Sequence, residues 1–135
     1  MKNKIDLIGS WVTKAKKDLI SVEHELSFED PVLESICFHS QQTVEKLIKA
    51  LLVYYDIDPD KTHSIGRLIL KLPDVESEIK SKLNDFDSLT DYSVEIRYPD
   101  SVEELTIEDA RLAYSIAKSC WDLVTSKIKL NDSNL

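Results

Sequence analysis

Leu33, Ile36, Ser40, Val44, Leu47, Leu51 and Tyr55 recur at steps of three and four along one segment of the chain. At 3.6 residues per turn this spacing keeps them on one face of a helix. Pro31 precedes the run, where proline suits a first helical turn, and Asp30 before it is the expected cap. The stripe predicts a helix from Pro31 to about Tyr55, long and apolar enough to be the centre of a bundle. A segment of this kind must be surrounded by others, and the rest of the chain supplies them.

Trp11, Ala15, Leu19, Val22 and Leu26 repeat at the same steps and predict a helix over about residues 10–27, with Ser10 as its N-cap. Asp18 falls at the edge of that stripe, where a carboxylate needs a partner or water. After the turn 56–61, Thr62 is a cap for a shorter helix carrying Ile65, Leu68, Ile69 and Leu72, which Pro73 stops. Val75, Ile79, Leu83 and Phe86 predict a further helix that can extend through Leu89 and Tyr92. In Arg97-Tyr98-Pro99-Asp100, proline removes an amide donor and moves Tyr98 out of the α region, so a helix ends there. Thr106-Ile107-Glu108-Asp109 has the form of a capping box with Asp in place of Glu or Gln. It opens a last helix striped by Ala110, Tyr114, Ala117, Trp121, Val124 and Ile128.

The expectation is one all-α domain over residues 1–135: an up-and-down antiparallel bundle of four long helices plus a short one. Its core spans about residues 10–129 and the tail 130–135 is frayed. Two glycines and 31% charged residues favour helices over strands and turns. No apolar run reaches the length of a membrane span and no signal-peptide core follows Met1, so a cytoplasmic protein with no membrane partner is expected. Cys37 and Cys120 fall on or beside apolar stripes and read as buried thiols.

The net charge of −8 is unevenly placed. Between Asp74 and Asp109 there are twelve acids and three bases, so this segment alone carries −9 and the remainder +1. An overall acidic chain argues against broad, non-specific nucleic-acid binding, which needs a basic surface. It leaves room for a small cationic pocket outside the acidic segment. No glycine-rich phosphate loop, zinc-ligand spacing or nucleophile elbow is present in the sequence, and no cofactor or metal is expected.

The polar residues with functional promise are few. His39, Gln42, Lys46 and Lys49 line one side of the second helix, with Gln41 and Glu45 flanking them. This is either an ordinary solvated face or a polar floor for an anionic ligand or a second subunit. His63 at a helix start does not complement the helix dipole. It is either a neutral hydrogen-bonding group or one aimed outside the helix. Arg97 offers a planar fork suited to phosphate or carboxylate, and Tyr98 can stack or hydrogen-bond; the alternative is a turn whose arginine pairs with local acids. His24, between Glu23 and Glu25, reads as a solvated side chain.

The chain resembles the HEPN family of small helical domains from Trp11 to Ile128. The resemblance rests on Ala15-x-x-Asp18-Leu19, on Phe38-x-x-Gln41-Gln42-x-x-Glu45-Lys46-x-x-Lys49-Ala50, on Thr62-His63, and on Arg97-Tyr98-Pro99-Asp100. It looks like the branch of stand-alone members whose genes often neighbour a minimal nucleotidyltransferase. It implies a homodimer, toxin–antitoxin pairing with that nucleotidyltransferase, nucleotide or RNA binding, and in many members a metal-independent RNase. The RNase uses an arginine followed four to six residues later by histidine. After Arg97 the chain reads Tyr98, Pro99, Asp100, Ser101, Val102, Glu103 and Glu104, without that histidine. The expectation is therefore a nucleotide- or partner-binding module without RNase activity. Its ligand surface is assigned to Arg97, Tyr98, His63, Lys46, Lys49 and Gln42, and its subunit contact to Gln41 and Glu45. The alternatives are an RNase using Arg97 with His63 or His39, and a purely structural dimerisation module.

Overall fold

In a computed structural model of the chain, residues 3–94 and 104–129 are described. The helices are α1 (Lys4–Leu26), α2 (Leu33–Tyr54), α3 (Ile65–Leu70), α4 (Ser77–Ser81), α5 (Leu83–Asp87) and α6 (Ile107–Lys129), with a 3₁₀ turn at Thr90–Tyr92. The all-α class and the up-and-down bundle hold. Lys4 of α1 pairs with Asp56 beyond the end of α2, so these two helices are antiparallel. Tyr114 near the start of α6 donates to Glu23 near the end of α1, and Lys127 near its far end pairs with Glu76. Thus α6 descends beside α2. Residues 77–92 climb back against α3 and α6 as the fourth limb, and α3 is the short additional helix.

α2 is the centre, as its stripe requires. Ile36, Val44, Leu47, Ile48, Leu51 and Leu52 are completely buried. α1 adds Ala15, Leu19 and Val22; α6 adds Ala110, Ala113, Ala117, Cys120 and Val124. Small residues on α6 let its backbone approach α2. Each fully buried Leu or Ile contributes on the order of 1.5–3 kcal/mol over its exposed state. Both cysteines are buried and neither is in a disulfide; burial alone pushes the Cys120 thiol far above its ordinary range.

Local chemistry revises several boundaries. α1 starts six residues earlier than Ser10, because the Asn3 Oδ1 accepts from Asp6 N at 2.8 Å and Ile8 is buried. Ser10 is interior to the helix. Asp30 does not cap α2 and Pro31 lies outside it; the N-cap is Val32, with no side-chain cap. The Val32 amide instead donates to Glu25 Oε2 at 2.9 Å, so the end of α1 fixes the start of α2. Ser64 and not Thr62 caps α3, accepting from Arg67 N at 3.2 Å, while Thr62 Oγ1 accepts from Ser64 N. His63 therefore precedes the helix and the dipole consideration does not apply to it. The limb 77–92 is broken at Lys82 and Ser88, so its apolar residues reach the core from separate turns. The capping box at α6 forms as read: Thr106 N donates to Asp109 Oδ2 at 3.0 Å and Asp109 N to Thr106 Oγ1 at 3.1 Å. Arg97, Tyr98 and the tail 130–135 lie outside the described residues.

One close approach locks the fourth limb to α3. Gly66 N donates to Asp87 Oδ1 at 2.8 Å, and the same oxygen accepts from Thr90 Oγ1 at 2.7 Å. A Cβ on Gly66 would stand 2.8 Å from Asp87 Cγ. Gly66→Ala is expected to lower stability by about 1 kcal/mol in urea unfolding, strain outweighing the helix propensity of alanine. In an Asp87→Ala background the same change should be neutral or stabilising; an equal loss in both backgrounds would refute the contact's role.

Candidate functional site

The polar residues of α2 are neither a solvated face nor an open floor. Gln41 is fully buried, and Glu45 and Lys49 retain 4% and 7% exposure. They resolve into two clusters, each built on a carboxylate shared by a histidine and a lysine.

The first cluster joins α1 to α2. Asp18, at the edge of the α1 stripe, accepts from Lys46 Nζ at 2.5 Å through Oδ2 and meets His39 Nδ1 at 2.8 Å through Oδ1. His39 and Lys46 are seven residues apart, two turns of one helix, so one carboxylate reaches both. This uses the Lys46 ammonium that the sequence assigned to a ligand surface.

The second cluster centres on Glu45. Its Oε1 accepts from Gln41 Nε2 at 2.9 Å and meets His63 Nδ1 at 3.0 Å. Its Oε2 takes Lys49 Nζ at 3.1 Å, one helical turn on. Gln41 Nε2 also donates to the His63 carbonyl, and Gln42 Nε2 donates to Gln41 Oε1 at 2.6 Å. Burial raises the Glu45 pKa. The hydrogen bonds from Gln41, His63 and Lys49, with the Lys49 charge, more than offset that and hold the carboxyl below its usual range. The His63 side chain is 65% exposed even though its Nδ1 is fixed from beneath. Lys49 also stands 5.4 Å from the Trp11 ring centroid.

Of the sequence-assigned ligand residues, the structure joins His63, Lys49 and Gln42 in one network and separates Lys46 into the other. Gln41 and Glu45, assigned to a subunit contact, are buried inside the protomer beneath His63. Trp11 and Asp18 had no assigned site role. The signal for Asp18 was its carboxylate at the edge of an apolar stripe; Trp11 had none beyond periodicity.

A small helical bundle whose central helix supplies a Gln-Gln-x-x-Glu-Lys-x-x-Lys ridge is thus defined. The HEPN domain model matches residues 8–128, and the chain belongs to the HEPN family. The crystal structure of ST0689, an archaeal HEPN homologue, is similar, with a TM-score of 0.70 and 29% identity over 96% of this chain and 100% of that one. No curated protein matches the sequence.

Glu45→Gln leaves the buried Lys49 ammonium without its anion and is expected to cost about 3 kcal/mol at neutral pH in urea unfolding. Because the folded-state pKa of Glu45 is depressed, its ionisation stabilises the fold above the ordinary glutamate range. That contribution is lost as pH falls through the folded value. The gap between wild type and Glu45→Gln should therefore be widest near neutrality and close in acid; a gap independent of pH would contradict the charge-based role.

Proposed function

We propose that this HEPN protein is a binding module: a homodimer that takes nucleotide, and pairs with a minimal nucleotidyltransferase in a toxin–antitoxin-like system, without cutting RNA. The observation that carries the reading is the Glu45 network. It sets an exposed imidazole, His63, beside a buried lysine, Lys49, on a domain whose net charge is otherwise strongly negative. An exposed imidazole fixed by a carboxylate suits a hydrogen bond to one phosphate group; with its buried lysine already paired to Glu45, the site does not make the broad basic surface that polyanion binding needs. Arg97 and Tyr98, outside the described residues, are proposed to complete the surface by clamping phosphate and by stacking or hydrogen bonding. Membership of the HEPN family, which includes nucleotide-binding modules, supports this reading. Isothermal calorimetry with AMP should show binding to wild type that Arg97→Ala and, separately, His63→Ala weaken at least tenfold. Undiminished affinity in both variants, or no binding to wild type, rejects the assignment.

One observation favours a second reading, a metal-independent ribonuclease. His63 Nδ1 on Glu45 Oε1 is a histidine–carboxylate pair, which orients an imidazole so that its other nitrogen can accept a proton. In this reading His63 takes the proton of an RNA 2′-hydroxyl as that oxygen attacks phosphorus; the bond to the 5′-oxygen breaks, leaving a 2′,3′-cyclic phosphate, and the departing 5′-oxygen takes a proton from water. Arg97 stabilises the charge on the phosphoryl oxygens. RNA incubated with chelator should then be cut by wild type and at least a hundredfold more slowly by His63→Ala. Intact RNA at high wild-type concentration removes this reading.

A further inference from the structure

A groove of about 700 Å³ opens where the start of α1, the end of α2 and residues 56–61 meet. That volume lies within the range of small-ligand sites. Its apolar wall includes Trp11, Leu7, Val53 and Ile57, none of them completely buried. Lys49, nine-tenths buried, also lines it and connects it to the Glu45 network.

The charges around this groove restrict what it can hold. Three lysines and three aspartates line it, so its formal charge is zero. Most are already committed. Lys4 pairs with Asp56 at 3.2 Å, Lys49 with Glu45 at 3.1 Å, and Asp60 with both Arg67 and Lys71 at 3.2 Å. The Asp58 carboxylate and the Lys61 ammonium, both exposed, make no ion pair among the described residues. The uncommitted charged groups are thus one anion and one cation, beside an indole whose ring centroid Lys49 and Lys14 approach to 5.4 and 5.8 Å, so a base would rest on whatever part of the ring these ammoniums leave open.

We propose that this groove is a nucleoside subsite, in which a base rests against Trp11, the Asp58 carboxylate accepts from hydroxyl or amino groups, and Lys61 meets a single phosphate. The inference rests on the nucleotide-binding reading above and gives the base and sugar, to which that reading offers only Tyr98, a wall of their own. Lys61 lies two residues before His63, and Glu45, which holds that imidazole, also holds the Lys49 of the groove wall. One uncommitted ammonium among aspartates suits a monophosphate; the additional charge of a triphosphate would meet Asp56, Asp58 and Asp60. The apolar wall favours an occupant with a planar ring over a bare polyanion.

The chain has two tryptophans, so Trp121→Phe leaves Trp11 as the sole indole, read by exciting beyond the tyrosine absorption. In that background adenosine and AMP should quench Trp11 emission saturably. By calorimetry on the otherwise native chain, Trp11→Leu should weaken AMP and adenosine about tenfold or more. Lys61→Ala should weaken AMP several-fold and leave adenosine unchanged, and ATP should bind no more tightly than AMP. Circular dichroism verifies that each variant is folded. AMP binding that survives Trp11→Leu but is lost in His63→Ala overturns the groove and preserves the broader reading. AMP binding that needs Trp11 but is unchanged in His63→Ala supports the groove and overturns the assignment of His63. No binding of any nucleoside or nucleotide to wild type overturns both.

Discussion

The Glu45 carboxylate is the constraint on which the arrangement depends. A charge with 4% exposure is costly to bury, by several kcal/mol, unless each of its oxygens is met by donors. Glu45 obtains those donors from three places: Gln41 one turn before it, Lys49 one turn after it, and His63 from outside the helix. Two are supplied by α2 itself. The third is supplied only if the chain returns after Tyr55 and sets His63 over α2. Gln41 secures that return a second time by donating to the His63 carbonyl. The position of α3 follows, since Ser64 caps it immediately afterwards.

Asp18 repeats the scheme between α1 and α2, with His39 and Lys46 as its partners. The two carboxylates therefore do different structural work with the same kinds of group. Asp18 sets α1 against α2 near the middle of both, and Glu45 fixes the segment leading to α3. Removing either anion would leave a lysine with little exposure and no counter-charge. In this way a few polar residues select one packing among the several that apolar stripes alone would allow, a role polar pairs fill in some helical assemblies.

What could be read in the sequence follows from how local each determinant is. The capping box of α6 joins residues three apart, and it formed as the sequence indicated. The α2 stripe is likewise a property of one helix. The start of α1 was misplaced because Asn3 and Ser10 are both competent caps; the burial of Ile8 decides between them. The break of residues 77–92 is tertiary, since Asp87 is drawn to the amide of Gly66, 21 positions away. Lys46 and Lys49 sit three residues apart and looked like one charged row. Their partners are 28 residues distant for one and four for the other, and periodicity carries no information about the first.

The same geometry bears on whether the protein binds or cuts. Transfer of the RNA 2′-proton needs one acceptor, and departure of the 5′-oxygen needs one donor. The histidines of the two clusters are not equivalent candidates. His63 is 65% exposed over its carboxylate, whereas His39 is 27% exposed and shares Asp18 with Lys46 at 2.5 Å. His39 thus belongs to the α1–α2 joint, and the sequence after Arg97 supplies no third imidazole within the expected spacing. The one accessible imidazole of these two clusters satisfies half of an acid–base pair. It fully satisfies the needs of a hydrogen bond to phosphate, and the lysine beside it is held by the same carboxylate. Tight pairing of that kind suits a preformed recognition surface, in which the ordering of side chains precedes the arrival of ligand.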